Sequence, residues 1–184
     1  MQAKLTGRPA RTRQLVAAAL VTALIAASAW ITLPIGAVPV TLQVFVVVLA
    51  ALLLEPVWAG ASIALYLVMG AAGLPVFAGA KGGLGVIAGP TGGYLMGFLV
   101  AAVIAASVRG LWELRGSQLV ADVVAAALAI AVIYVVGTVQ LALVLHMSAA
   151  QAVVAGVVPF VGPDLAKAAA AVLVASAVRR GLRA

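Results

Sequence analysis

Long apolar runs, broken by Pro, Gly and isolated charges, divide the chain into six candidate helices. They are predicted at about 13–33, 41–54, 57–71, 93–108, 118–145 and 163–178. The first stops before Pro34, the second at Glu55-Pro56, and the third runs into a Gly/Pro-rich stretch from Gly73 to Gly93. The second and third are short against the ~20 residues that a spanning helix needs. Such segments tilt little, begin inside the preceding loop, or sit buried against neighbours. Nearly every helical face is apolar, so periodicity does not single out a core face. Strands of a transmembrane barrel would alternate over about ten residues, and these runs do not. The pattern predicts an all-α membrane protein, a six-helix bundle forming one integral domain over 1–184.

Composition removes the competing classes. Of 184 residues, 66% are hydrophobic and 8% charged, with a mean hydropathy of +1.30. Soluble domains run near half apolar and a quarter charged, and disordered chains are more polar still. Cysteine is absent, which excludes disulfides and thiolate chemistry.

The net charge of +7 would suggest nucleic acid in a soluble chain. Here its placement matters more, and no nucleic-acid partner is expected. Lys4, Arg8, Arg11 and Arg13 precede the first predicted helix, Arg109 and Arg115 lie between the fourth and fifth, and Arg179, Arg180 and Arg183 follow the sixth. With six spans, nine of the eleven basic residues fall on one side. The positive-inside rule makes that side the cytoplasm, holding both termini. Trp58 and Trp112 then lie near the inner interface and Trp30 near the outer one. Ala27-Ser28-Ala29 resembles a signal-peptide cleavage site. Cleavage there would leave an odd number of spans and split the basic ends, so the segment is read as retained.

The outer side collects the unusual residues. The stretch from Gly73 to Tyr94 is long, largely apolar and carries one charge, Lys81. Irregular backbone at membrane depth is tolerated where it is buried or lines a cavity. The stretch is therefore a lid or pocket wall, against the alternative of a tight structural connector. Gly162-Pro163-Asp164-Leu165-Ala166-Lys167 opens the sixth predicted helix, with Pro163 at the first helical position. Asp164 and Lys167, three residues apart, share a face. Charges entering lipid are expensive and usually mark a substrate path or a pair. A structural ion pair is the alternative to a binding role. A helix start plus Lys167, with Lys81 above, favours an anion, and Asp164 offers an acceptor. Phe77, Tyr94, Tyr66 and Trp30 are available for an apolar body. Gln43 and Gln140 are further amides that either meet a ligand or bond a neighbouring helix, and His146 is an interfacial residue.

Other signals carry less. Gly83-Leu84-Gly85-Val86-Ile87-Ala88 matches a loose dinucleotide pattern, which has meaning only inside a βαβ unit. No P-loop occurs, and four acidic residues with one His offer neither a metal cluster nor a catalytic triad. Neither a cofactor nor an enzymatic activity is expected. Glu55, Glu113 and Asp122 fall near the inner face. Ala19, Ala23 and Ala27 form a small-residue stripe suited to an internal contact or to a partner protein. Gly93 and Gly97 suit close packing within the chain.

Four segments taken together resemble a known family. They are Val38-Pro39-Val40-Thr41-Leu42-Gln43, Gly73-Leu74-Pro75-Val76-Phe77-Ala78-Gly79, Gly89-Pro90-Thr91-Gly92-Gly93-Tyr94-Leu95 and Pro163-Asp164-Leu165-Ala166-Lys167. In order and spacing they look like the motifs of BioY, the biotin-binding membrane subunit of energy-coupling-factor transporters. The resemblance implies a multi-pass protein of the bacterial plasma membrane, with a biotin pocket beneath the third-to-fourth helix loop. It implies that Asp164 and Lys167 help bind the vitamin. It also implies docking of the Ala19, Ala23 and Ala27 stripe on a transmembrane coupling protein that sits with two cytoplasmic ATPase subunits. Those ATPases would account for the missing P-loop. Gly79-Ala80-Lys81-Gly82 departs from the polar, often Asn-containing, contact of the family, which Lys81 either replaces or adjoins. Biotin's carboxylate suits a Lys, its ureido group Asp164 or an amide, and its thiophane ring the aromatics. A self-sufficient secondary carrier for biotin or a related carboxylate-bearing vitamin is the alternative.

Overall fold

The first helix stops six residues short of the proline at position 34. The computed structural model describes residues 7–34, 38–113 and 117–182, and α1 spans Gly7–Ser28. The sequence predicted this helix to residue 33. Pro34 biases Leu33 towards extended backbone, and Thr32–Leu33 (β1) instead pairs antiparallel with Val40–Thr41 (β2), Thr32 opposite Thr41. Lys4, Ile35, Gly36, Ala37, Arg115 and Arg183 lie outside the described residues.

Among the described residues seven helices follow: α2 Gln43–Leu53, α3 Pro56–Ala71, α4 Leu84–Ala88, α5 Gly92–Glu113, α6 Gln118–Leu145, α7 Ala149–Gly156 and α8 Val158–Gly181. Pro56 opens α3, where its missing N–H has no intrahelical partner to lose. Ser148 and Gln151 cap α7 reciprocally, each side chain bonded to the other's backbone N–H. Both α4 and α7 lie in stretches that the sequence pattern marks as connections.

The start of α8 corrects a second expectation. The helix begins at Val158, five residues before the predicted start, with Pro159 in its first turn and Pro163 inside it. Two prolines four apart both suit helix starts, and the earlier one opens this helix. Asp164 and Lys167 therefore sit beyond the first turn, to which the helix dipole is largely confined. The anion-favouring helix end expected at these residues is not there.

Length and burial separate two kinds of helix. Gly92–Trp112, α6 and α8 are long and apolar enough to cross a membrane, which marks an integral membrane protein. α2 has only 11 residues, of which nine are buried. It packs against α1, α3, α5, α6 and α8, so it is the core of the bundle, with no broad lipid face. Of the three accounts of its shortness, burial is the one observed. α5 and α6 form the most extensive pair. A Cβ on Gly93 would lie 2.7 Å from the Val136 carbonyl, and one on Gly97 3.2 Å from the Ile133 Cα. Gly93 and Gly97 thus serve internal packing.

One end of the bundle is tied by charge. Asp122 is buried and bonds Arg109 Nε at 2.8 Å through Oδ1 and the Arg179 guanidinium through Oδ2. Arg179 also donates to the Leu52 carbonyl at 3.0 Å, near the end of α2. A cation there complements the orphan carbonyls of a helix C-terminus.

Candidate functional site

A cavity of about 140 Å³ opens at the opposite end. Its walls come from the segment after β1, the N-terminus of α2, the stretch between α3 and α5, and the facing surfaces of α5, α6 and α8. Six of the side chains singled out for binding line it: Gln43, Phe77, Lys81, Tyr94, Asp164 and Lys167.

The polar wall is built on α8 and α6. Asp164 is 3% exposed, so its carboxylate needs partners. Lys167 Nζ donates to Oδ1 at 2.8 Å, and the Tyr134 hydroxyl donates to Oδ2 at 2.8 Å. The i,i+3 spacing on α8 accounts for the first contact. The second comes from a residue outside the candidates that the sequence pattern marks. Tyr134 is a lone tyrosine in the apolar run of α6, and a tyrosine hydroxyl at such depth requires a partner. That requirement was the available signal. Lys167 has two further N–H groups, and its charge is matched by Asp164. Lys81, the other cation lining the cavity, has no carboxylate partner among the described residues.

A second polar group faces the cavity from α2. Gln43 is buried, and its Oε1 accepts from the Thr41 hydroxyl at 3.2 Å. Its Nε2 donates to the Tyr66 hydroxyl at 2.5 Å. The amide is thereby held in one orientation. Tyr66 is fully buried behind this wall and does not line the cavity, contrary to its expected role. Its ring meets Phe77 edge-on, 5.5 Å between centroids and 80° between planes. Phe77 fits there because Gly70 lies beneath it: a Cβ on Gly70 would come within 2.1 Å of the Phe77 ring.

The stretch between α3 and α5 is pinned at both ends. Phe77 and Lys81 exchange backbone hydrogen bonds of 2.9 and 3.3 Å, closing a tight turn through Gly79 and Ala80. Gly83 N–H donates to the Gly70 carbonyl at 2.7 Å. On the far side, Gln140 Nε2 donates to the carbonyls of Ile87 at 2.7 Å and Gly89 at 2.9 Å. Tyr94 is fixed by a 2.8 Å bond from its hydroxyl to the Gly156 carbonyl, leaving part of its ring on the cavity. The stretch is a wall of the cavity, as its apolar composition predicted.

The remaining candidates fall elsewhere. Trp30 is 65% exposed and lines no part of the cavity. Gln140 holds backbone carbonyls at the end of α4, and His146 caps α6 in the left-handed conformation at φ 52°. Ala19, Ala23 and Ala27 are exposed along α1, opposite the buried Val21, Thr22 and Ile25. The stripe makes no internal helix contact of the kind small residues allow.

Comparison with known proteins assigns the family and the fold. The family model described as the BioY family matches residues 1–184. The biotin transporter BioY of Thermotoga maritima is 40% identical over 168 residues, 91% of this chain and 96% of the relative. The probable biotin transporter BioY of Pyrococcus horikoshii is 43% identical over 157 residues, 85% and 90% of the two chains. These relatives are named as transporters, not enzymes. The crystal structure of the S-component for biotin from an ECF-type ABC transporter superposes with a TM-score of 0.86. It is 23% identical, covers 97% of this chain and 95% of its own, and shares the fold. With a match running from the first residue to the last, this chain belongs to the BioY family.

Proposed function

We propose that this chain is the biotin-binding subunit of a biotin uptake transporter. It captures biotin outside the cell and delivers it inward with a transmembrane coupling protein and two cytoplasmic ATPase subunits. The observation that carries the reading is the Asp164–Lys167–Tyr134 cluster in a mostly apolar cavity. A buried acceptor beside a partly buried donor complements a neutral group with N–H next to C=O, which describes a ureido ring. Asp164 takes the ureido N–H, and Lys167 donates to the ureido oxygen. Lys81, the cation without a matching carboxylate, meets the carboxylate of the valerate tail. Gln43 adds a polar contact, and Phe77 and Tyr94 pack on the thiophane ring. This assignment moves the carboxylate from Lys167, where the sequence had suggested it, to Lys81. The reason is that Asp164 already neutralises Lys167.

The same reading makes residues 1–184 one membrane domain of six principal helices, α1, α2, α3, α5, α6 and α8. Both termini lie on the cytoplasmic side of the plasma membrane, as the basic residues at one end favour. The exposed Ala19, Ala23 and Ala27 stripe is the surface that docks on the coupling protein. Titration of the purified chain with biotin, biotin amide, thiamine and riboflavin tests the site. Biotin binds and the other vitamins do not. Lys167→Ala weakens biotin at least tenfold, and Lys81→Ala weakens biotin but not the uncharged amide. Unchanged biotin affinity in Lys167→Ala refutes the assignment.

A further inference from the structure

A second hollow, of about 380 Å³, lies between α6 and α8 and shares no residue with the ligand cavity. It runs along Val123 to Ile130 on α6 and Leu165 to Leu173 on α8, and every lining residue is aliphatic. Ala126, Ala127, Ala168 and Ala169 face it, so the hollow exists because these positions have little side chain. In a membrane an apolar hollow left empty forfeits dispersion contacts along its whole lining. Something apolar fills it. A helix with side chains is ~10–12 Å across and does not enter a hollow of this size, whereas a hydrocarbon chain does.

The end of the hollow gives the occupant a charge. On α8 its lining recurs every three or four residues, and the same stripe reaches Arg179 and Arg180 seven positions after Val172 and Leu173. Arg109 and Arg179 bond Asp122 at this end, and the exposed Arg180 follows Arg179 on α8. Neither Arg109 nor Arg179 is separated from Asp122, so the exposed Arg180 is the group left for an external anion. From Leu165 to Arg180 the helix rises about 22 Å, enough to cover the hydrocarbon of one leaflet, about half of a ~30 Å core.

We propose that this groove is a binding site for an anionic phospholipid, with an acyl chain between α6 and α8 and its phosphate on Arg180. The full-length chain, purified in mild detergent, is incubated with phosphatidylglycerol and phosphatidylcholine of identical chains and analysed by native mass spectrometry. The wild type retains phosphatidylglycerol in preference. Arg180→Gln lowers that preference roughly fivefold. Ala169→Trp fills the groove and removes the adduct, while biotin affinity, read in parallel, is unchanged. Equal retention of the two lipids by the wild type overturns the proposal. So does an undiminished adduct in Ala169→Trp that still binds biotin, including the case where this variant fails to assemble with partner subunits, which assigns the groove to a protein. If Ala169→Trp loses biotin binding, Arg180→Gln decides alone, and an unaltered lipid preference there refutes the site.

Discussion

Tyr134 and Asp164, 30 residues apart in sequence, are joined by a 2.8 Å hydrogen bond across the α6–α8 interface. The hydroxyl occupies the one carboxylate oxygen that Lys167 leaves open. Hydrogen bonds to charged groups contribute about 1.5–3 kcal/mol. Tyr134→Phe is therefore expected to weaken biotin binding by at least tenfold while the chain stays folded. Isothermal titration beside a melting curve checks both halves of that expectation.

Asp164→Asn leaves Lys167 in the cavity wall without its counter-charge. Removing one partner of a buried pair costs about 3–5 kcal/mol. The variant is expected to melt at lower temperature and to lose biotin binding. Adding Lys167→Met should restore much of the melting temperature and none of the binding. A double variant as unstable as Asp164→Asn alone would show that the pair is not what holds this wall.

Gly70→Ala inserts a methyl into the Phe77 ring. Overpacking of this kind costs about 1–3 kcal/mol. Phe77 must shift into the cavity or away from Tyr66, and either movement spoils the aromatic wall. Reduced biotin affinity together with a lower melting temperature is the expected pair of results. Gly73→Ala, where no atom lies within contact distance but φ is +99°, should affect stability more than binding.

Gln140→Leu removes the donor that serves the carbonyls of Ile87 and Gly89. Each lost bond is worth about 0.5–1.5 kcal/mol net. The α4 end of the wall then detaches more readily from α6. Biotin dissociation is expected to accelerate about tenfold, measured by displacement with unlabelled biotin, with faster amide exchange in α4. An unchanged off-rate would mean that ligand release does not pass through this part of the wall.

Much of this site was legible in the chain because charge is so scarce in it. Asp164 and Lys167 stand three apart in an apolar run, and an i,i+3 pair is a local event that spacing alone predicts. The start of α8 was misplaced because Pro163 and Pro159 are equally good opening signals, and only the packing of Phe160 against the core distinguishes them. Tyr134 escaped because its partner lies on another helix, and no periodicity reports which faces of two apolar helices meet. Tyr66 and Gln140 carried the right polar atoms, but their partners are a side chain on α2 and two backbone carbonyls at the end of α4, which only the assembled bundle supplies. The two-residue strands β1 and β2 are too short to leave a pattern at all.

The burial of α2 has a mechanical consequence. Gln43 at its start looks onto the ligand cavity, and Leu52, one residue before its end, gives its carbonyl to Arg179. Between them lie nine residue steps, about 14 Å of helix, gripped on all sides by five neighbours. A rod so short and so tightly held does not bend. One short helix thus has the ligand cavity at its start and the arginine cluster at its end, so the two ends of the molecule share one strut.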